Sequence, residues 1–158
     1  MREHYIDWQT YFMGIAYLSA KRSKDPVTQV GACIVNTSQR IVGIGYNGLP
    51  YGCDDTVFPW EKSEDLIQSK HGYVVHAELN AILNARGSLR DCTLYVTHFP
   101  CHECAKAIIQ SGITKIYFAS NDRQAKPTSK AAAKMFAAAH VAYEKIAELE
   151  ITITEVTQ

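Results

Sequence analysis

The sequence predicts an α/β fold in which a mixed five-stranded sheet is sandwiched between helices, and three observations carry that reading. Apolar residues recur at helical spacing in four segments, β-branched runs of strand length lie between them, and the order along the chain is α-β-β-α-β-α-β-α-β. Alternation of helix and strand after an opening hairpin is the pattern of a sheet with helices on its faces. A chain of 158 residues suits one compact domain spanning 1–158, long enough to bury a core and too short for two comfortable ones.

Residues 7–21, DWQTYFMGIAYLSAK, put Trp8, Phe12, Ile15, Ala16 and Leu18 or Ser19 at helical spacing, with Asp7 as N-cap. Trp8, Tyr11 and Phe12 read as the core stripe of this helix. Asp25-Pro26 then stops any helix, because proline disfavours the α conformation of the residue before it. VGACIVN (30–36) and RIVGIGY (40–46), separated by Thr37-Ser38-Gln39, read as a β-hairpin. From 47 to 72 the periodicity vanishes into a loop rich in Gly, Pro, Asn and Asp, of a length that is uncommon unless it serves a purpose. VVHAELNAILNA (74–85) returns to helical spacing, and CTLYVTHF (92–99) is a buried strand ending at Pro100. CHECAKAIIQSG (101–112) reads as a helix closed by Gly112, and TKIYFAS (114–120) as another strand. An Ala-rich helix with a break near His140 is expected over 127–146, and LEITITEV (149–156) alternates as the last strand.

Charge and cysteine usage narrow the function. Lys+Arg and Asp+Glu are both 16, so the net charge is zero, which argues against a nucleic-acid polymer as partner. No stretch approaches the ~18–20 apolar residues of a membrane span, and MREHYIDWQTYF lacks the apolar run of a signal peptide. A cytoplasmic protein with no membrane contact is the expectation. Five cysteines (33, 53, 92, 101, 104) in such a chain bind metal, react or pack more often than they form disulfides. Cys33 and Cys92, inside apolar strand patterns, read as core. His4, His98 and His140 have no partner visible in sequence and read as surface or packing residues.

Two segments carry chemistry: His76-Ala77-Glu78 and Pro100-Cys101-His102-Glu103-Cys104, each expected at a strand-to-helix junction. Two cysteines three residues apart at a helix start aim their sulfurs at one ion, where the helix dipole favours thiolate. His76 supplies a nitrogen, and three protein ligands leave the fourth tetrahedral position of Zn2+ open, as in a catalytic site. Glu78 is then the proton carrier, taking a proton from water brought to a pKa of about 7 and passing it to the ring nitrogen and the departing ammonia. A purely structural zinc site wants a fourth ligand. His102 is a poor one beside Cys101, and Cys53, Cys92 and His71 remain available. A second, structural zinc shared by Cys53 and His71 has too few obvious ligands.

Taken together, 25 residues apart from His76 to Cys101 and with Pro100 in place, the segments match H-x-E…P-C-x-x-C, the signature of zinc nucleobase deaminases. With SKDPVTQVGACIVN (23–36), IVGIGYNGLPYGCDD (41–55), HAELNAIL (76–83) and FPCHECAKAIIQSGI (99–113), the chain resembles the deoxycytidylate (dCMP) deaminase branch of the cytidine deaminase superfamily from about Tyr11 to Val141. The resemblance implies a three-layer α/β/α fold, conversion of dCMP to dUMP with release of ammonia, a supply line to thymidylate synthesis, and a homo-oligomer, often a hexamer. His76, Cys101 and Cys104 resemble the family's zinc ligands and Glu78 its acid/base. The Ala77 amide would meet the pyrimidine carbonyl, Asn47 resembles the asparagine that bonds the sugar, and Ser23, Lys24 and Asp25 match a segment lining the nucleotide site.

Many family members are activated by dCTP, here expected with Mg2+, and inhibited by dTTP. The glycine-rich GIGYNGLPYG resembles their effector loop, which assigns Gly45, Tyr46, Asn47, Gly48, Pro50 and Gly52 to an effector site. The plainer reading of those glycines is a hairpin-to-loop connection that needs unusual dihedrals. The match weakens after TKIYFAS, where NDRQAKPTSK is net basic, and Arg123 is the candidate for the substrate phosphate. The rival readings are deamination of another cytosine or purine base or nucleoside, and a zinc-bound nucleotide sensor without turnover.

Overall fold

The computed structural model describes residues 1–155. Its elements are α1 (Trp8–Ala20), β1 (Gly31–Val35), β2 (Ile41–Tyr46), α2 (Ala77–Asn84), β3 (Thr93–His98), α3 (His102–Ser111), β4 (Lys115–Ser120), α4 (Pro127–Ala138) and β5 (Ala142–Lys145). They occur in the order expected from the sequence. The sheet runs β2-β1-β3-β4-β5 and is mixed: β1 is antiparallel to β2 and β3, whereas β3, β4 and β5 are parallel.

Alternation along the strands sends successive side chains to opposite faces and makes three layers. Cys33, Val35, Tyr95 and Tyr117 meet Phe12, Met13 and Ala16 of α1 on one face. Ile34, Leu94, Val96, Ile116 and Phe118 meet Ala81 of α2, Ala105 and Ile108 of α3, and Ala132 and Phe136 of α4 on the other. Cys33 and Cys92 are buried, as their apolar surroundings predict.

Local chemistry sets the element ends. The Asp7 carboxylate accepts from the Thr10 amide and caps α1. Gly112 closes α3 at φ 86°, a left-handed conformation that glycine adopts without a Cβ penalty. Helix α2 starts at Ala77 rather than at 74, because Val75 instead pairs with Gly48 in an isolated antiparallel bridge. That bridge draws the two ends of the long 47–75 loop together. Inside the loop only single 3-10 turns form, at Leu66–Gln68 and Lys70–Gly72.

Two expectations are corrected. Trp8 and Tyr11 are 53% and 40% exposed, and of the three aromatic residues only Phe12 enters the core. One helix face is narrow, and the buried stripe follows Phe12, Met13 and Ala16 instead. The last strand is not 149–156: α4 ends at Ala138, His140 turns the chain at φ 56°, and Ala142–Lys145 takes the edge beside β4. The Ala142 and Ile146 amides donate to Thr114 and Phe118 carbonyls, so this segment fills the ladder first. The Ile146 and Leu149 side chains then pack against the α1-side core. Alternation records one-sided burial but not which neighbour supplies it. Val156 lies outside the described residues.

Candidate active site

Strand β3 leads through Phe99 and Pro100 into α3, and the loop leads through Val75 into α2, so two helix N-termini converge on the same side of the sheet. His76 is the N-cap of α2 and Cys101 the N-cap of α3, both in extended backbone, and neither helix has a side-chain cap hydrogen bond. The open amides and the helix dipoles therefore face the cysteine sulfurs and favour negative charge on them.

His76 Nδ1 lies 3.4 Å from Cys101 Sγ and 3.3 Å from Cys104 Sγ. Two ligands of a tetrahedral zinc, one sulfur and one nitrogen, stand about 3.5 Å apart, so the spacing fits that ion. The donor set fits as well, since thiolate with imidazole suits zinc better than a hard, oxygen-seeking cation. Among the described residues these three side chains are the one group of three or more His, Cys, Asp or Glu donors within reach of a common ion, and no fourth joins them. Cys92, considered as a fourth ligand, is in the core, His71 lines the cavity wall, and Cys53 lies in a separate depression.

Electrostatics follow the same geometry. Hydrogen bonds from Cys104 and His76 outweigh burial and hold the Cys101 thiol down to about 3. The Cys101 hydrogen bond together with burial pushes Cys104 up. The bond to Cys101 raises His76 to about 8 against the opposing effect of burial. A bound cation removes these protons, because thiolate and neutral imidazole are the ligating forms. Glu78, two residues into the same helix, is 5% exposed, and burial pushes its carboxyl up.

These groups line a cavity of about 630 Å³, large enough for a nucleotide-sized ligand. Asp25, Asn47 and Lys70 form one wall, and Arg123 and Lys126 stand at the approach to α4, whose Thr128 and Ser129 also face the cavity. Of the residues expected to contact a nucleotide, Asn47, Asp25 and Arg123 line this cavity. Ala77 is the fully buried first residue of α2, and Ser23 acts from behind by donating to the Asn47 carbonyl at 2.8 Å. Lys24 points elsewhere, to a second depression of about 220 Å³, where it pairs with Asp55. Adjacent residues of an extended segment diverge, so Lys24 and Asp25 serve different cavities.

The second depression also divides the residues expected for an effector. Tyr46, Gly48, Pro50 and Gly52 line it with Arg22 and Trp60, whereas Asn47 belongs to the metal cavity. Gly45 lines neither: a Cβ there would stand 2.3 Å from the Ala77 carbonyl oxygen, and the glycine lets α2 lie directly on β2. His98, expected at the surface or in packing, is a cavity residue, and burial lowers its pKa. Lys70 and Thr28 also line the cavity and went unnoticed in sequence, for a lysine or threonine in an aperiodic loop carries no signal of its own.

The match to a family model for the cytidine and deoxycytidylate deaminase zinc-binding region covers residues 6–120 and ends with β4. The chain belongs to the cytidine and deoxycytidylate deaminase family. This deaminase is 52% identical over 160 residues to a probable deoxycytidylate deaminase of Drosophila melanogaster, covering 97% of this chain and 79% of that one. It is 50% identical over 146 residues to the deoxycytidylate deaminase of Homo sapiens, covering 91% of this chain and 82% of that one. The crystal structure of dCMP deaminase from the cyanophage S-TIM5 in complex with dCMP and dUMP superimposes with a TM-score of 0.73 at 27% identity, covering 90% of this chain and 100% of that one. The five-stranded mixed sheet with its helices is thus the deaminase fold, and zinc is the family's metal. Among the described residues no helix is long and apolar enough to cross a membrane.

Proposed function

We propose that this chain hydrolyses dCMP to dUMP and ammonia, with His76, Cys101 and Cys104 holding zinc and Glu78 moving the protons. The observation that carries the reading is a buried carboxylate, Glu78, beside a His-Cys-Cys group that no fourth donor joins among the described residues, in one cavity with Arg123. Zinc, when bound, supplies Lewis acidity that readies water for attack on the carbon bearing the amino group. Glu78 takes one proton from the attacking water and gives it to the ring nitrogen, then takes the second from the hydroxyl added to the carbon and gives it to the leaving amine, a cycle suited to a carboxyl that burial pulls toward neutrality. One water is consumed, one C–N bond breaks and one C–O bond forms. Asn47 meets the sugar, the Ala77 amide the pyrimidine carbonyl, and Arg123 with Lys126 the 5′-phosphate. The names of the relatives and the nucleotides bound to the cyanophage enzyme support this substrate.

The second depression supports regulation. Arg22 and Lys24 with the Gly48–Gly52 loop suit a phosphorylated effector, which we read as dCTP with Mg2+ for activation and dTTP for inhibition. Exposed Trp8, Tyr11, Ile44 and Leu83 suit a homo-oligomer, a hexamer in our reading, working in the cytoplasm to supply thymidylate synthesis. One experiment tests the whole: kinetics on dCMP, deoxycytidine, cytidine and guanine, with and without dCTP and dTTP, on protein of measured zinc content. Preference for dCMP over deoxycytidine is expected. Equal activity on the nucleoside rules out dCMP as the selected substrate, and no ammonia from any of them favours a nucleotide sensor.

A further inference from the structure

Lys70 and Asp25 form an ion pair in the wall of the metal cavity, and both side chains are almost inaccessible, at 6% and 4%. The Lys70 ammonium donates to both carboxylate oxygens, at 2.7 and 2.6 Å. Asp25 Oδ1 also accepts from the Val27 and Thr28 amides, at 2.9 and 3.0 Å, and Oδ2 faces Asn47 Nδ2 at 3.4 Å. Burial alone would raise the Asp25 carboxyl, but Lys70 and the two amides hold it below its ordinary value.

Asn47 is the next link. Its Oδ1 accepts from the Val30 amide at 2.8 Å and its Nδ2 donates to the Thr28 carbonyl at 3.0 Å. The chemistry of those two neighbours admits a single orientation of the amide, since a flip would set NH2 against N–H and oxygen against oxygen. Asp25 organises the Thr28 turn that supplies one of them. Lys70, for its part, is held by the loop: its amide donates to the Glu61 carbonyl at 2.8 Å, and the Val74 amide donates back to its carbonyl at 2.9 Å.

A buried ion pair contributes little stability over apolar residues of the same volume, because desolvation offsets the attraction. Its value lies in geometry, and here the geometry ends on Asn47. We propose that Lys70 is a positioning residue for nucleotide binding, fixing the Asn47 amide in the cavity wall through Asp25. The proposal rests on the reading of Asn47 as a contact to the nucleotide. Lys70 touches no reacting atom in it.

The test compares Lys70→Met and Lys70→Arg, each in the wild-type and the Asn47→Ala background, by steady-state kinetics on dCMP with zinc measured. Lys70→Met is expected to raise KM about 10- to 100-fold with kcat within about threefold and zinc content unchanged, as for a loss of ground-state positioning. Lys70→Arg, which keeps a cation for Asp25, should recover part of that loss. In the Asn47→Ala background Lys70→Met should change KM by less than about twofold, since the residue it positions is gone. A further large loss there means direct contact with substrate and overturns the proposal, as does an unchanged KM in the single variant. The Asn47 side-chain amide signals in a nitrogen–proton NMR spectrum give a readout that needs no turnover: they should shift in Lys70→Met, and if they stay the proposal fails. A wild type inactive on dCMP thus counts against the substrate while the NMR result still decides Lys70. Should Lys70→Met not fold, Asp25→Asn is expected to give the same KM rise and amide shift, and the absence of both overturns the proposal.

Discussion

Cys104 Sγ lies 3.3 Å from His76 Nδ1, across 28 residues of sequence and from a different helix. Such spacing stays useful only if something holds the two helix starts together, and a bound cation does so. Removal of zinc by a chelator is therefore expected to lower Tm by about 5–10 °C, with recovery on adding zinc back. Calorimetry with and without chelator checks this. An unchanged Tm would mean that the three side chains hold no metal.

Glu78 is buried beside that group but is not one of its three donors. In the proposed mechanism Glu78→Gln keeps the shape and removes the proton carrier. Ammonia release should fall by at least about 100-fold while zinc content stays at the wild-type level. Lost zinc would instead make Glu78 a ligand or a structural support.

Arg123 and Lys126 stand at the end of the cavity away from the sheet's hairpin edge, next to the start of α4. Charge-assisted bonding to a phosphate predicts that Arg123→Ala raises KM for dCMP about 10-fold or more. KM for deoxycytidine should hardly move. Equal losses on both substrates would exclude a phosphate-specific contact.

Gly45 was expected in an effector loop but lies under α2, with the Ala77 oxygen and Ala81 nitrogen both 2.3 Å from where a Cβ would be. Those are backbone atoms, which cannot turn aside. Gly45→Val should cost about 1–3 kcal/mol or more in denaturant melts and weaken zinc binding by shifting His76. A variant of normal stability that has lost only its nucleotide regulation would return Gly45 to the effector site.

Asp25 gives a pH prediction. Its folded-state value is held below the ordinary 3.8, so it contributes stability above 3.8 that is lost as pH falls through the lower folded value. The stability gap between wild type and Asp25→Asn should be full at pH 7 and shrink on acidification below 3.8. Urea melts at both ends of that range measure it, and a gap that widens in acid contradicts the assignment.

Much of this was legible in the chain itself. The period of the apolar residues set the element order, Asp7 and Gly112 marked helix ends, and the short spacings within His76–Glu78 and Cys101–Cys104 named the chemistry. Each of these signals is local, so a few neighbouring residues suffice to carry it. The last strand was misplaced because alternation in 149–156 reports burial on one side and cannot name the partner, while the 142–145 segment is recruited by the free edge of β4. Trp8 and Tyr11 were misassigned because one helix face is narrow and the buried stripe of α1 follows Phe12, Met13 and Ala16.

What the sequence determined by itself is the candidate metal-binding group His76, Cys101 and Cys104, the candidate proton carrier Glu78 and the layered fold around them. Only the tertiary structure decided which distant residues share a cavity. It sent Lys24 to one depression and Asp25 to another, set Gly45 against a helix, and brought Lys70 from an aperiodic loop onto Asp25, 45 residues away. Those placements depend on loop closure and on the burial of charge in pairs, and neither leaves a periodic trace along the chain.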